Sequence, residues 1–255
     1  MVTPHGAARD RKGRAEPSMR ARKGRRSRPE RYFRCLTRPH GPDIFWPMGM
    51  VRIQSVHDPF NAPGVARLAV TTIERADAMG LLPEKEAIDR LDFEVFRRVA
   101  GRIAKVGIGP SLVADLNSPQ GRDPGRLLAV LEKLNDALDE SPTPQYEWPK
   151  LAKTLGVEPL ARLVGISASS VRRYKARSRA TPDDVAARLH FLAMLVSDLA
   201  GAYNDIGIRR WFDRRRALLG DRSPAQILVG DWRPDAPGPT RVRQLAQSLV
   251  AAPAT

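Results

Sequence analysis

Residues 157–176 read VEPLARLVGISASSVRRYKA, and this stretch decides the fold class. Leu160, Ala161 and Val164 recur at helical spacing and define one apolar face. Gly165 then falls where the chain must turn sharply, a place that favours a residue able to adopt positive φ. Ile166 fills the corner. Ser167 carries a hydroxyl suited to capping the next helix. Val171 and Tyr174, three residues apart, face back toward Ala161, whose small side chain lets a second helix cross closely. The spacing therefore predicts helix, tight turn, helix. It leaves Ser167, Ser169, Ser170, Arg172, Arg173 and Lys175 on the outer side, with Arg177 and Arg179 extending the basic edge. Small polar groups at a helix start can approach base edges, and arginine can read guanine or grip phosphate. The competing reading is an ordinary helical corner with a solvated basic face.

The surrounding chain carries the same helical period. Upstream, Val65, Leu68, Ala69, Thr72, Ile73, Ala76 and Met79 predict a helix closed by Gly80. Pro83 is read as a helix start, with Ile88, Leu91, Val95, Val99 and Ile103 as one stripe. A short segment spans Pro110 to Leu116. After the Pro/Gly-rich loop from Asn117 to Pro124, Leu127, Leu128, Leu131, Leu134 and Leu138 mark another helix. Ser141-Pro-Thr-Pro144 is the best internal boundary, because paired prolines favour an extended linker. Downstream, a long helix from about Pro182 to Tyr203 is apolar on more than one side. Convincing β alternation is absent, so the chain is read as all-α. Its regions are a basic segment 1–50, a helical region 65–140 of unassigned role, a helix-turn-helix region with its long helix at 145–205, and a small helical module at 206–255.

The charge distribution agrees with an anionic partner. Of the net +15, residues 1–50 contribute +9, residues 51–150 contribute −2 and residues 151–255 contribute +8. Arg, Pro, Gly and Ala make up half of residues 1–50, and no apolar period is present to offset their ordering entropy. Three readings stand for that segment: a nucleic-acid-binding arm, a transit segment, or an over-long translation start with Met48 or Met50 as the initiator. The lone Cys35 excludes an internal disulfide. His5, His40, His57 and His190 are scattered without ligand spacing, so no metal or cofactor is expected. An intracellular, cytoplasmic setting fits this cysteine usage. The longest apolar run, Phe191 to Val196, is far short of a membrane span, and no secretory h-region follows the basic start. Gly107-Ile-Gly109 lacks the rest of a dinucleotide fingerprint, and Walker A and G-x-S-x-G motifs are absent, so an enzyme is not expected. Asp139-Glu140 is read as the solvated end of a helix.

Residues 208–228, IRRWFDRRRALLGDRSPAQIL, add a second signal. Leu218 and Leu219 end a short helix at Gly220, and Ser223-Pro224 supply the cap and first position of the next. Residues 157–176 resemble the helix-turn-helix of Xre-type repressors. The phrase GISASSVRRY is also similar to a MerR-type start, although the following helices differ from that pattern. Together with Trp211, the Leu-Gly-x-x-Ser-Pro stretch and the final helix from Val242 to Leu249, about residues 150–250 resemble the Xre/MbcA/ParS antitoxin family. The resemblance implies a bacterial type II antitoxin that represses its own operon. It implies operator DNA and a RES-type, NAD-degrading toxin as partners, in a homodimer or a larger hetero-oligomer. It implies toxin-binding roles for Trp211, Arg215, Leu219, Gly220, Ser223 and Pro224. Arg241 and Arg243 lie in a tail, residues 233–255, expected to block the toxin without supporting the fold. Two features depart from the family pattern: Arg215 or Arg216 stands where proline is common, and the linker from Gly230 to Pro239 is longer. The alternative is a DNA-binding regulator or partition-like protein without a toxin partner.

Overall fold

Helix α1 (Val65–Ala78) forms because apolar and small residues return every three or four positions, burying Val65, Ala69, Ile73 and Ala76. The structure, a computed structural model, describes residues 53–62, 64–83 and 88–251. The basic segment 1–50, its alternative starts Met48 and Met50, Cys35, His5 and His40 lie outside the described residues. Helix, eleven α-helices and one 3-10 turn, makes up 66% of the described chain, which is essentially all-α. All of it belongs to one compact unit within residues 46–255.

Helix α1 packs mainly on α4 (Pro124–Glu140) and on α8 (Asp183–Ala200). Asn135 ties α1 to α4 through a polar clasp. Its Nδ2 donates to Thr72 Oγ1 at 2.9 Å and lies 3.1 Å from the Leu68 carbonyl. Arg75 donates to the Asn135 carbonyl at 2.6 Å. Helix α8 carries buried residues on nearly every side, including Leu189, Phe191, Leu192, Ala193, Met194 and Leu195. It is the central rod of the fold, as its apolar excess predicts.

The region after Gly80 differs from the sequence reading. Residues 88–92 are not helical. Arg90–Leu91 form a short strand, β2, paired in parallel with β1 (Ser55–Val56). Helix α2 (Phe93–Lys105) starts only after Asp92, whose side chain accepts the Val95 N–H at 2.8 Å. Ile88 and Leu91 mimicked a helical stripe because both are buried at the spacing that leads into α2. Helix α3 (Pro110–Leu116) has proline at its first turn, and Asp123 caps α4.

Residues 141–143 are a short connection, not a domain linker. Helix α5 (Pro144–Leu155) follows α4 at once, and Thr143 between them is buried. His190 of α8 closes the junction. One ring nitrogen lies 2.7 Å from the buried Glu147 carboxylate and the other 2.9 Å from the Asp139 carbonyl. Burial alone would lower the His190 pKa, but its two acceptors, Glu147 foremost, outweigh that and raise it. Asp139 is not a solvated helix end, since its carboxylate also pairs with Arg243 from the far end of the chain.

One acidic pair is placed unfavourably for its charge. Burial, then the charges of Asp198 and Asp77, raise Glu74 from 4.5 to about 7. Burial likewise lifts Asp198 to about 6, against the pull of Arg243 and Arg75. The folded state then holds protons that the unfolded chain has released, so stability falls as pH rises from about 4.5 to 7. Glu74→Gln is expected to raise Tm at pH 8 and to flatten this slope in a pH series of melting curves. An unchanged slope would show that Glu74 ionises freely in the native state.

Candidate nucleic-acid interface

Three consecutive helices position the basic face: α5, α6 (Val157–Val164) and α7 (Ala168–Lys175). Leu160, Ala161, Leu163 and Val164 are buried, so α6 presents its predicted face inward. Gly165 turns the chain at φ 79°, in the left-handed region. A Cβ there would lie 2.2 Å from the Gly230 carbonyl oxygen, so bare backbone is required for a second reason. Ser167 Oγ accepts the Ser170 N–H at 3.1 Å and caps α7.

Only Val171 and Tyr174 of α7 are buried. Tyr174 stacks on Trp148 of α5, with ring centroids 5.4 Å apart and planes 20° apart. The Trp148 indole donates to Thr181 Oγ1 at 2.9 Å, tying in the loop that follows α7. The opposite side is therefore held outward. Ser167, Ser169, Arg172, Arg173, Lys175, Arg177 and Arg179 are exposed and Ser170 is half-buried. The serine hydroxyls of 169 and 170 each lie 2.9 Å from Ser167 Oγ, a polar cluster at the helix start.

Four of the basic side chains make contacts within the chain, Arg173 only through a long bond of 3.5 Å to Ser170 Oγ on its own helix. Arg172 pairs with Glu158 of α6 at 2.9 Å, both groups being well exposed. Such an exposed pair is worth ~0–1 kcal/mol, so a phosphate or guanine can displace the carboxylate. Arg177 sits at φ 56°, and its guanidinium lies over the Tyr146 ring and 3.4 Å from the Gln145 carbonyl. It is folded onto α5 and belongs to the edge of the face. Arg179 lies over Tyr174.

The C-terminal module places its predicted residues differently. Trp211 of α9 (Asp205–Asp213) is 2% exposed and meets Phe212 edge-on, so it is core and not a free interface anchor. Arg216 N–H bonds to the Arg222 carbonyl at 3.1 Å, closing a loop over a 3-10 turn at Ala217–Leu219. Leu219 is buried and Gly220 is left-handed at φ 65°. Ser223 and Gln226 form a reciprocal capping box for α10 (Pro224–Ile227), where Pro224 is also buried. These residues build the corner, and of the predicted toxin-binding side chains only Arg215 and Arg241 are exposed. Arg243 is half-buried in its pair with Asp139.

The residues from Gly230 to Pro239 are not a loose linker, and the tail is not dispensable. Trp232 is 7% exposed, lies edge-on to Phe191, and donates to the Leu163 carbonyl of α6 at 2.8 Å. Helix α11 (Pro237–Ala251) begins inside the supposed linker and packs Val242 and Ala246 fully away from solvent, chiefly on α8. Deletion of residues 233–255 therefore strips a face from the central helix, and loss of function on deletion reports unfolding. Nothing in the local sequence pattern marks Glu158, Trp148, Thr181 and Trp232 as parts of the site. Their roles depend on partners up to 69 residues away.

Among the described residues, no group of three His, Cys, Asp or Glu side chains converges to hold a metal ion. No single helix among them is long and apolar enough to cross a membrane. No protein-family model, curated protein or solved structure matches the chain.

Proposed function

We propose that this chain is an antitoxin-type regulator: α6 and α7 act as an Xre-like helix-turn-helix that reads operator DNA, and the C-terminal module binds and blocks a RES-type toxin. The observation that carries the reading is the outer face of α7. Ser169, Arg172, Arg173 and Lys175 stand outward from a helix whose other side is locked by Val171 and Tyr174. Serines at the helix start leave room for close approach to base edges, and the arginines behind them supply guanine or phosphate contacts. The protein-binding half rests on the resemblance of residues 150–250. The rigid Leu-Gly-x-x-Ser-Pro corner supports it by presenting a preformed surface.

The test is the affinity of the full chain for a labelled duplex taken from upstream of its own coding sequence. The Arg172→Ala/Arg173→Ala variant should bind on the order of 100-fold more weakly at matched salt, at ~1–3 kcal/mol per specific contact. Its melting temperature should stay close to wild type, because both side chains are exposed. Equal affinity would remove α7 as the reader. If the chain binds DNA but forms no complex with the neighbouring gene's product, the reading becomes a regulator without a toxin partner.

A further inference from the structure

We infer that the loop from Arg216 to Arg222, with Leu218 at its tip, docks into an apolar socket on an acidic protein surface. The inference rests on the reading of the C-terminal module as protein-binding, and it names the chemistry of that contact. Leu218 is 77% exposed. Of the four large apolar side chains exposed among the described residues, Ile206, Leu218 and Val229 all lie in this module. A single exposed leucine is ordinary. What sets Leu218 apart is how firmly it is held out.

The loop is closed at its base by the bond from the Arg216 N–H to the Arg222 carbonyl. Within it, the Leu219 and Asp221 N–H groups both donate to the Arg216 carbonyl, at 2.9 and 3.1 Å, and Gly220 donates to Ala217 at 2.9 Å. Leu219, next to Leu218, points inward and is 5% exposed, so it fixes the turn to the core. Asp221, at φ 56°, takes a left-handed conformation uncommon for a residue with a side chain. A leucine held in this way loses little freedom on binding, which is the condition for a tight anchor.

The surroundings state the partner's charge. Arg214, Arg215 and Arg222 are exposed beside the tip. A cleft of about 460 Å³ opens next to it, lined by Tyr203, Arg210, Trp211, Asp213, Arg214 and Arg216. Three guanidinium groups against one carboxylate suit an acidic segment of the partner. A second copy of this chain fits poorly, because a symmetric contact would bring Arg214, Arg215 and Arg222 against their own copies. Nucleic acid fits poorly as well, because phosphate offers nothing to an exposed leucine.

The test uses the full chain and the protein encoded beside it, purified and mixed. Leu218→Asp should weaken the complex at least ~30-fold, as for an interface anchor, whereas Leu218→Met should bind close to wild type. Arg214→Glu/Arg215→Glu should slow association about tenfold and flatten its salt dependence. DNA affinity and melting temperature should be unchanged in all three. Equal affinity of wild type and Leu218→Asp would overturn this surface while leaving the antitoxin reading intact. No complex with wild type would overturn both. A wild-type dimer in sedimentation that Leu218→Asp dissociates would make the occupant a second copy, and weakened DNA binding would make it nucleic acid. Either result overturns the inference.

Discussion

Trp148→Ala is expected to lower the unfolding free energy by about 3–5 kcal/mol, the cost of truncating a buried aromatic. Trp148 is 1% exposed, and three elements meet on it. Its ring supports Tyr174 of α7, its indole N–H holds Thr181 beyond α7, and its backbone belongs to α5. The cavity left by alanine would remove the platform on which α7 rests, so DNA affinity should fall together with stability. Trp148→Phe separates the contributions. It keeps a stacking ring and loses the bond to Thr181, which costs ~1 kcal/mol. Urea denaturation followed by Trp fluorescence and circular dichroism measures both variants. A Trp148→Ala loss below ~1 kcal/mol would mean that the stack does not hold α7.

Gly165→Ala is expected to cost about 2–5 kcal/mol. A left-handed backbone disfavours a side chain by ~1–2 kcal/mol, and forced overpacking adds ~1–3 kcal/mol. The clash is with backbone, since the Gly230 carbonyl oxygen would lie 2.2 Å from the new methyl. The segment from Gly230 to Trp232 must then retreat, and the Trp232 bond to the Leu163 carbonyl goes with it. Gly220 is a useful contrast. It is also left-handed, at φ 65°, but a Cβ there meets nothing within 4 Å. Gly220→Ala should therefore cost only the conformational part. Thermal melts of the two variants test the difference, and equal losses would show that the Gly230 contact carries no weight.

The elements legible in the sequence were those whose causes are local. The turn at Gly165, the Ser167 cap and the inward pair Val171 and Tyr174 each follow from residues within one or two turns of helix. The Ser223-Pro224 start of α10 is of the same kind. What escaped depends on partners distant in the chain. Trp232 looked like part of a linker because nothing nearby reveals that its N–H reaches α6. Arg243 looked free because Asp139 stands 104 residues away. Arg172 looked unencumbered because Glu158 belongs to the preceding helix. The strand at Arg90–Leu91 escaped because two residues cannot show a period of two, and its neighbour Ser55–Val56 is non-local. Trp211 stands out in the sequence, but residue type alone cannot separate a core aromatic from an interface one.

The central claim is that α7 reads DNA, and a salt-dependent titration tests it most directly. The full chain and its Arg172→Ala/Arg173→Ala variant are each titrated with the upstream duplex and with a scrambled duplex, between about 50 and 200 mM salt. The account predicts that wild type prefers the upstream sequence and that its affinity falls steeply with salt. The variant should lose most of that preference, and its slope should be shallower by about one for each phosphate contact removed. Two superimposable sets of isotherms, with the same sequence preference and the same slope, would contradict it.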